Sequence, residues 1–333
     1  MPLTLYVDKA RWTEHLRATW DPAIVPVVKG NGYGFGHDRL FAETRSLGAK
    51  TVGVGTYEEV PAKPDGDVVV LSPWRPFLDV PAGRQVIHTV GRLADLVTIA
   101  PRSRVLVEVQ TSMRRHGIGA GELRYVAANG VLDRIKFEGW SLHLPMGPGG
   151  TAANTSEAID LGRAATAVRA APLWVSHVPV TKLADIGSQV RLRMGTGLWL
   201  GDRGALKVVA TVLDVHRVRR GERVGYRQRR CPGDGHVLVV AGGTAHGVGL
   251  EAPTAAATVK QRAVSFAKGS LDAAGMALSP YTVAGKQRWF VEPPHMQSSL
   301  LFLPSSIPPP AIGDEIPVDV RFTTSTFDKI VMA

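Results

Sequence analysis

The segment VPVVKGNGYGFGH (25–37) places a lysine directly after an apolar run. Lys29 therefore starts inside or at the rim of whatever that run builds. Burial lowers the proton affinity of a lysine and frees its amine as a nucleophile, which is the requirement of Schiff-base chemistry. Gly30, Gly32, Gly34 and Gly36 leave backbone room for a bulky cofactor, and Tyr33 adds a phenol hydroxyl four residues on. A surface lysine in a flexible glycine loop is the competing reading of the same residues.

Eight short β-like runs, at 24–28, 51–55, 68–72, 85–89, 105–109, 135–143, 173–177 and 191–200, must position this lysine. Most are nearly continuous apolar stretches, as in strands buried on both faces. Helix candidates lie at 8–19, 38–48, 91–99, 119–129 and 155–171. This alternation predicts an α/β fold, a (β/α)8 TIM barrel, with a doubly wound sheet as the alternative. In such a barrel chemistry sits at the C-terminal ends of strands. The residues there are Lys29 and Tyr33 after the first strand, and Arg114, Arg115 and His116 after the fifth. His143 ends the sixth, His177 and Thr181 follow the seventh, and Arg193, Gly195 and Thr196 belong to the eighth. The glycine run 146–150 after His143 reads as a loop over the site or as a plain connection.

After about residue 205 the texture changes to short β-branched runs separated by glycine and proline turns. We expect a barrel over 1–205 followed by a mostly β C-terminal domain over 206–333. Of the 333 residues 44% are hydrophobic and 20% charged, which excludes a disordered or collagen-like chain. A single cysteine, Cys231, excludes an intrachain disulfide framework and a cysteine-rich zinc site. The net charge is +10, and seven arginines fall in 217–230. They alternate with valines and Tyr226, as on strands with one solvated face, and no nucleic-acid motif accompanies them. No signal peptide or membrane-length apolar run is apparent, so the expected location is cytoplasmic, with no nucleic-acid or membrane partner.

The lysine segment resembles the pyridoxal phosphate (PLP) lysine motif of alanine racemases, whose pattern is close to VVKANAYGHG. Further segments are similar to the family in the same order: LTLYVDKARWTEHLR, VLVEVQTSMRRHGI, FEGWSLH, VRLRMGTGLWLG, VGYRQRR and PHMQSS. The resemblance implies a fold-type III PLP enzyme acting on a small-molecule amino-acid substrate. It also implies a head-to-tail homodimer, with each active site completed by the partner's β domain. Lys29 would be the Schiff-base lysine. Tyr33, Thr181, Gly195 and Thr196 would hold the phosphate. Arg193 would face the pyridine nitrogen and His177 would bond that arginine. Arg115 would contact the cofactor's phenolic oxygen or the substrate carboxylate. His143 would sit near the catalytic centre and Met296 near the substrate carboxylate.

The chain also departs from the family pattern. The family's second base is a tyrosine in a GYADGY segment; the corresponding segment here is GGTAHG (242–247), with Thr244 at the tyrosine position. A threonine hydroxyl is a poor base near neutral pH. His246, two residues on, is a type of group that titrates in the right range. Glu108 stands where the family has a lysine that is carbamylated in some members, and Arg115 is its expected cation. The family's late tyrosine has only Thr326 or Phe327 near its place. Lys29, His143, Arg115 and Thr244 are thus the catalytic candidates of an alanine racemase-like isomerase. The other readings are a decarboxylase or lyase on the same fold, and an inactive PLP-binding protein.

Overall fold

The computed structural model describes residues 2–81, 83–146, 150–250 and 277–333. The chain forms two compact units. One comprises Glu14–Gly32 and Gly36–Gly201, the other Met1–Thr13, Tyr33–Phe35 and Asp202–Ala333. It opens with β1 (Leu3–Val7) and α1 (Lys9–Thr19). The Asp8 carboxylate accepts the Arg11 N–H at 3.0 Å and so caps the helix start.

The first unit is a closed parallel barrel in the order β2 (Ile24–Val28), β3 (Thr51–Val54), β4 (Asp67–Pro73), β5 (Val86–Val90), β6 (Arg104–Val109), β7 (Lys136–Leu142), β8 (Leu173–Val175) and β9 (Val190–Met194). β9 closes on β2 with Ile24 opposite Leu192 and Val25 opposite Arg193. Each of the eight expected runs overlaps one of these strands, the last, 191–200, also taking in α7, and the (β/α)8 barrel stands over the doubly wound sheet. α2 (His37–Ser46), α3 (Leu93–Thr98), α4 (Ala120–Ala128), α5 (Gly150–Val168), α6 (Leu183–Ile186) and α7 (Thr196–Trp199) follow their strands. Among the described residues, no α-helix separates β3 from β4 or β4 from β5.

Val25, Val69, Ile87, Leu106 and Trp174 pack together although their strands are not all neighbours, so they fill the barrel's interior. A larger cluster, including Val107, Leu123, Trp140 and Leu173, packs the helices against the outside. α5 shows why sequence dictates that packing. Its buried residues Asn154, Ala158, Gly162 and Ala165 form a narrow stripe, and a Cβ at Gly162 would stand 2.7 Å from Leu173 Cδ1. Small side chains let this helix lie close on β8.

The second unit is an eight-stranded sheet built from β10 (Leu206–Val218), β13 (Gly235–Ala241), β14 (Leu278–Val283), β15 (Lys286–Phe290), β16 (Ser298–Pro304), β17 (Glu315–Pro317) and β18 (Lys329–Met332), together with β1. A two-stranded ribbon, β11 (Arg223–Val224) and β12 (Arg229–Arg230), branches from it. The unit is mostly β, as expected. β1 runs antiparallel to β10 and parallel to β18, so the first residues of the chain belong to this sheet and not to the barrel. The expectation that 1–205 forms the barrel fails there, because an apolar strand does not disclose a partner two hundred residues away. Most of the arginines of 217–230 are exposed at the end of β10 and on the ribbon. Cys231 is buried with Val218 and Val237, and burial raises its thiol's proton affinity. Tyr226 is not a core residue; it is 86% exposed.

Candidate functional site

Lys29 follows the last residue of β2 at the C-terminal mouth of the barrel. The loop after it alternates through left-handed conformations. Gly30, Gly32, Gly34 and Gly36 have φ of 62°, 63°, 87° and 81°, so these glycines serve the path of the chain itself. Tyr33 shares this conformation at φ 54° and is buried, an unfavourable state for a tyrosine that its surroundings must impose. Tyr33 belongs to the short segment that packs with the β unit, where Phe35 stacks on Trp12 at 4.8 Å.

Glu59, which the motifs did not single out, fastens the start of this loop. It follows β3 in a single 3₁₀ turn. One carboxylate oxygen accepts the Gly30 N–H at 2.7 Å; the other accepts the N–H groups of Gly55 at 2.6 Å and Thr56 at 3.3 Å. The Thr-x-x-Glu spacing of a capping box was the available signal.

Arg193 is buried on β9. Its Nη1 donates to Ser141 Oγ and its Nη2 to the Leu142 carbonyl, both at 2.9 Å, so it reaches past β8 to β7. Among the described residues these are its hydrogen bonds, with none to the expected His177, and its buried Nε–H has no partner. Burial pulls its proton affinity down to about 10, with Glu108 opposing and Arg115 adding to the fall; it remains a cation at neutral pH. Glu108 on β6 is also buried, and burial raises its carboxyl's proton affinity. The positive charges of Arg193, of the expected Arg115 and of Arg75 oppose that rise.

His143 and His177 lie at the same mouth, their rings 5.6 Å apart and nearly perpendicular. Thr111 Oγ1 donates to the His143 carbonyl at 2.7 Å, and Ser176 Oγ lies 3.3 Å from His143 Nδ1. The Asn154 amide donates to the carbonyls of Pro145 and His177, tying together the loops after β7 and β8. Burial holds His143 down to about 3, aided by the charges of Arg193, Arg115, His177 and Lys29. His177 is lowered by burial and by Arg193, Lys29 and Arg115. Both rings are neutral near pH 7. Residues 147–149 of the glycine run after His143 lie outside the described residues.

Arg115 stands on a loop that returns to β6. Gln110 N–H donates to Ile118 O at 3.0 Å and Ile118 N–H to Glu108 O at 2.8 Å. Gly117 makes this closure possible: its φ is 114°, and a Cβ there would collide with the Gln110 backbone nitrogen. Thr181 lies in the 3₁₀ turn after β8, Gly195 follows β9 as the N-cap of α7, and Thr196 opens α7; both threonines are exposed. Lys29 completes the set. Lys29 as a residue is exposed at the mouth, and the packing around its amine, followed by Arg115 and Arg193, lowers its proton affinity, with Glu59 opposing. The mouth thus joins cations suited to an anionic ligand with an amine shifted toward its nucleophilic form.

The family model described as "Alanine racemase, N-terminal domain" matches residues 10–182, just over half of the chain. The chain belongs to the alanine racemase N-terminal-domain family. Its fold is that of solved alanine racemases. One from Bartonella henselae, with covalently bound pyridoxal phosphate, is 17% identical with a TM-score of 0.68, over 96% of this chain and 91% of that one. One from D-cycloserine-producing Streptomyces lavendulae is 16% identical with a TM-score of 0.65, over 100% and 97%. One from E. faecalis is 20% identical with a TM-score of 0.62, over 94% and 87%. No curated protein sequence matches the chain.

In this member of the alanine racemase family, the β-unit candidates are held mainly by backbone. Thr244 donates through its N–H at 2.8 Å and its hydroxyl at 3.4 Å to the His295 carbonyl, and Ala245 N–H donates to Met296 O at 3.0 Å. Met296 is exposed. His246 is buried with both ring nitrogens engaged: Nδ1 accepts the Gly243 N–H at 3.3 Å, and Nε2 faces Asp328 Oδ1 at 3.0 Å. It is a fastener of this loop and not an open base. Phe327 packs beside Phe322, and its ring would lie 2.8 Å from a Cβ at Gly34. Thr326 Oγ1 donates to Ala245 O at 3.0 Å. Among the described residues, no cluster of three or more His, Cys, Asp or Glu is placed to hold a metal, and no helix is long and apolar enough to cross a membrane.

Proposed function

We propose that the protein is a pyridoxal phosphate-dependent amino-acid racemase with Lys29 as its cofactor lysine. The observation that carries this reading is the pairing, in an alanine racemase-family barrel, of Lys29 with the buried Arg193 Nε–H that has no partner among the described residues. A donor stranded in a barrel mouth fits the pyridine nitrogen, and a lysine amine shifted toward neutrality fits the aldehyde. Bound there, PLP supplies an electron sink for the α-carbon of an amino acid.

The rest belongs to this chain's residues. Lys29 Nζ would hold the cofactor, and its amine, shifted toward the neutral form, would be the base for the α-proton on one face. Arg193, a cation at neutral pH, would donate to the cofactor's ring nitrogen. Thr181, Gly195, Thr196 and Tyr33 would hold the phosphate, and Arg115 would meet the cofactor's phenolic oxygen or the substrate carboxylate. His143 and His177, kept neutral, add no further positive charge to the mouth. A head-to-tail homodimer would bring the partner's Thr244 loop and Met296 to the substrate.

The test is incubation of the PLP-loaded protein with L- and D-amino acids in heavy water, with products resolved by chiral chromatography. Deuterium at the α-carbon together with the opposite enantiomer, from alanine or another small amino acid, supports racemisation. A decarboxylated or cleaved product moves the chain to another α-carbon reaction. No exchange with any amino acid leaves a PLP-binding protein without turnover.

A further inference from the structure

Glu59 accepts three backbone N–H groups from two different strand exits. Its Oε1 takes Gly30, the residue immediately after Lys29; its Oε2 takes Gly55 and Thr56, just past β3. β2 and β3 run parallel with Val28 opposite Val54, so Lys29 and Gly55 are the next pair in register. A Cβ at Gly55 would stand 2.9 Å from Glu59 Oε2 and 3.1 Å from Lys29 Cβ. Gly55 is therefore the opening through which the carboxylate adjoins the root of the lysine side chain. Any larger residue there would intrude on both.

We infer that Glu59 is a positioning residue for Lys29, clamping the left-handed turn that launches the lysine and supplying the negative charge that accompanies its amine. The inference deepens the proposed function and rests on Lys29 being the reacting amine. Two charge-assisted bonds hold Glu59 at the exit of β3 and a third fastens Gly30, so the glycine-rich segment is tied to a fixed point directly after its lysine. The same carboxylate opposes the lowering of the lysine's proton affinity by burial and by Arg115 and Arg193. Removing it leaves those lowering influences unopposed.

The test follows Lys29 in the full-length protein free of PLP. Competitive acylation is carried out across pH 6–11, and the modified lysine is quantified by mass spectrometry. In Glu59→Gln the midpoint of Lys29 labelling should fall by about half a unit or more, because loss of a nearby negative charge disfavours the ammonium. Glu59→Asp should recover part of the shift. Glu58→Gln removes the same charge one residue away, from an exposed side chain, and should leave the midpoint in place. Hydrogen exchange at the Gly30 and Gly55 amides should accelerate in Glu59→Gln. An unmoved midpoint in Glu59→Gln, or an equal shift in Glu58→Gln, overturns the inference. Wild-type protein that fails to take PLP on Lys29 would instead refute the functional reading, and the titration would still report on Glu59.

Discussion

Arg193 on β9 donates to the carbonyl of Leu142 on β7 at 2.9 Å, across the intervening strand β8. Leu142 precedes His143, so this bond ties the buried cation to the strand end that carries the histidine. Arg193→Met removes it together with the bond to Ser141, and takes away one of the cations acting on the buried Glu108. Losing two hydrogen bonds of a buried charged group costs about 3–6 kcal/mol. Urea unfolding should show a loss of that order, and PLP titration should show affinity weakened by at least about tenfold, the equivalent of one lost hydrogen bond of about 1.4 kcal/mol.

His246 and Asp328 provide a contrast. Their contact at 3.0 Å and the Gly243 N–H bond make His246 a fixed part of the loop. His246→Leu should lower unfolding stability by about 1–3 kcal/mol through unpaired groups. The pH dependence of α-proton exchange, measured on the folded variant, should keep its shape. Loss of one limb of that profile would show that His246 is the missing base.

Acid stability follows from the neutral histidines. His143 is held down to about 3 and His88, which lies 2.8 Å from the Tyr57 hydroxyl, to about 4. Unfolded histidines titrate near 6.5, so between that pH and about 4 the unfolded chain binds more protons than the folded one. Stability therefore falls as pH falls through this window, with each histidine contributing uptake of up to about one proton on unfolding. His143→Asn should flatten the slope of unfolding free energy against pH, read from urea melts at successive pH values.

Gly117 sets the return of the Arg115 loop onto β6. Gly117→Ala meets both a positive φ and a backbone collision, and strain of this kind costs about 1–3 kcal/mol. The variant should melt earlier and bind carboxylate ligands more weakly, as seen by calorimetry on the PLP-loaded protein, because Arg115 loses its fixed approach.

The barrel was legible because its strands are near-continuous aliphatic runs of similar length, and each maps onto one observed strand. The lysine loop was legible because its alternating glycines stand out in composition, although their role is left-handed backbone as much as space. What stayed hidden were pairings between distant segments. β1 reads as an ordinary strand, and only the folded sheet shows it between β10 and β18. Arg193 was legible as a strand-end residue of the barrel, but its partners, Ser141 and Leu142, lie two strands away. Glu59 carried only a capping pattern, which is common on surfaces, and its bond to Gly30 depends on the parallel register of β2 and β3.

The most direct test of Lys29 as the cofactor lysine is the visible spectrum of purified protein with added PLP, followed by borohydride reduction and peptide mapping beside Lys29→Ala. The account predicts an absorption band in the wild type, a phosphopyridoxyl group fixed on Lys29 after reduction, and neither in the variant. No band in the wild type, or a label distributed over other lysines while Lys29 stays free, would contradict it.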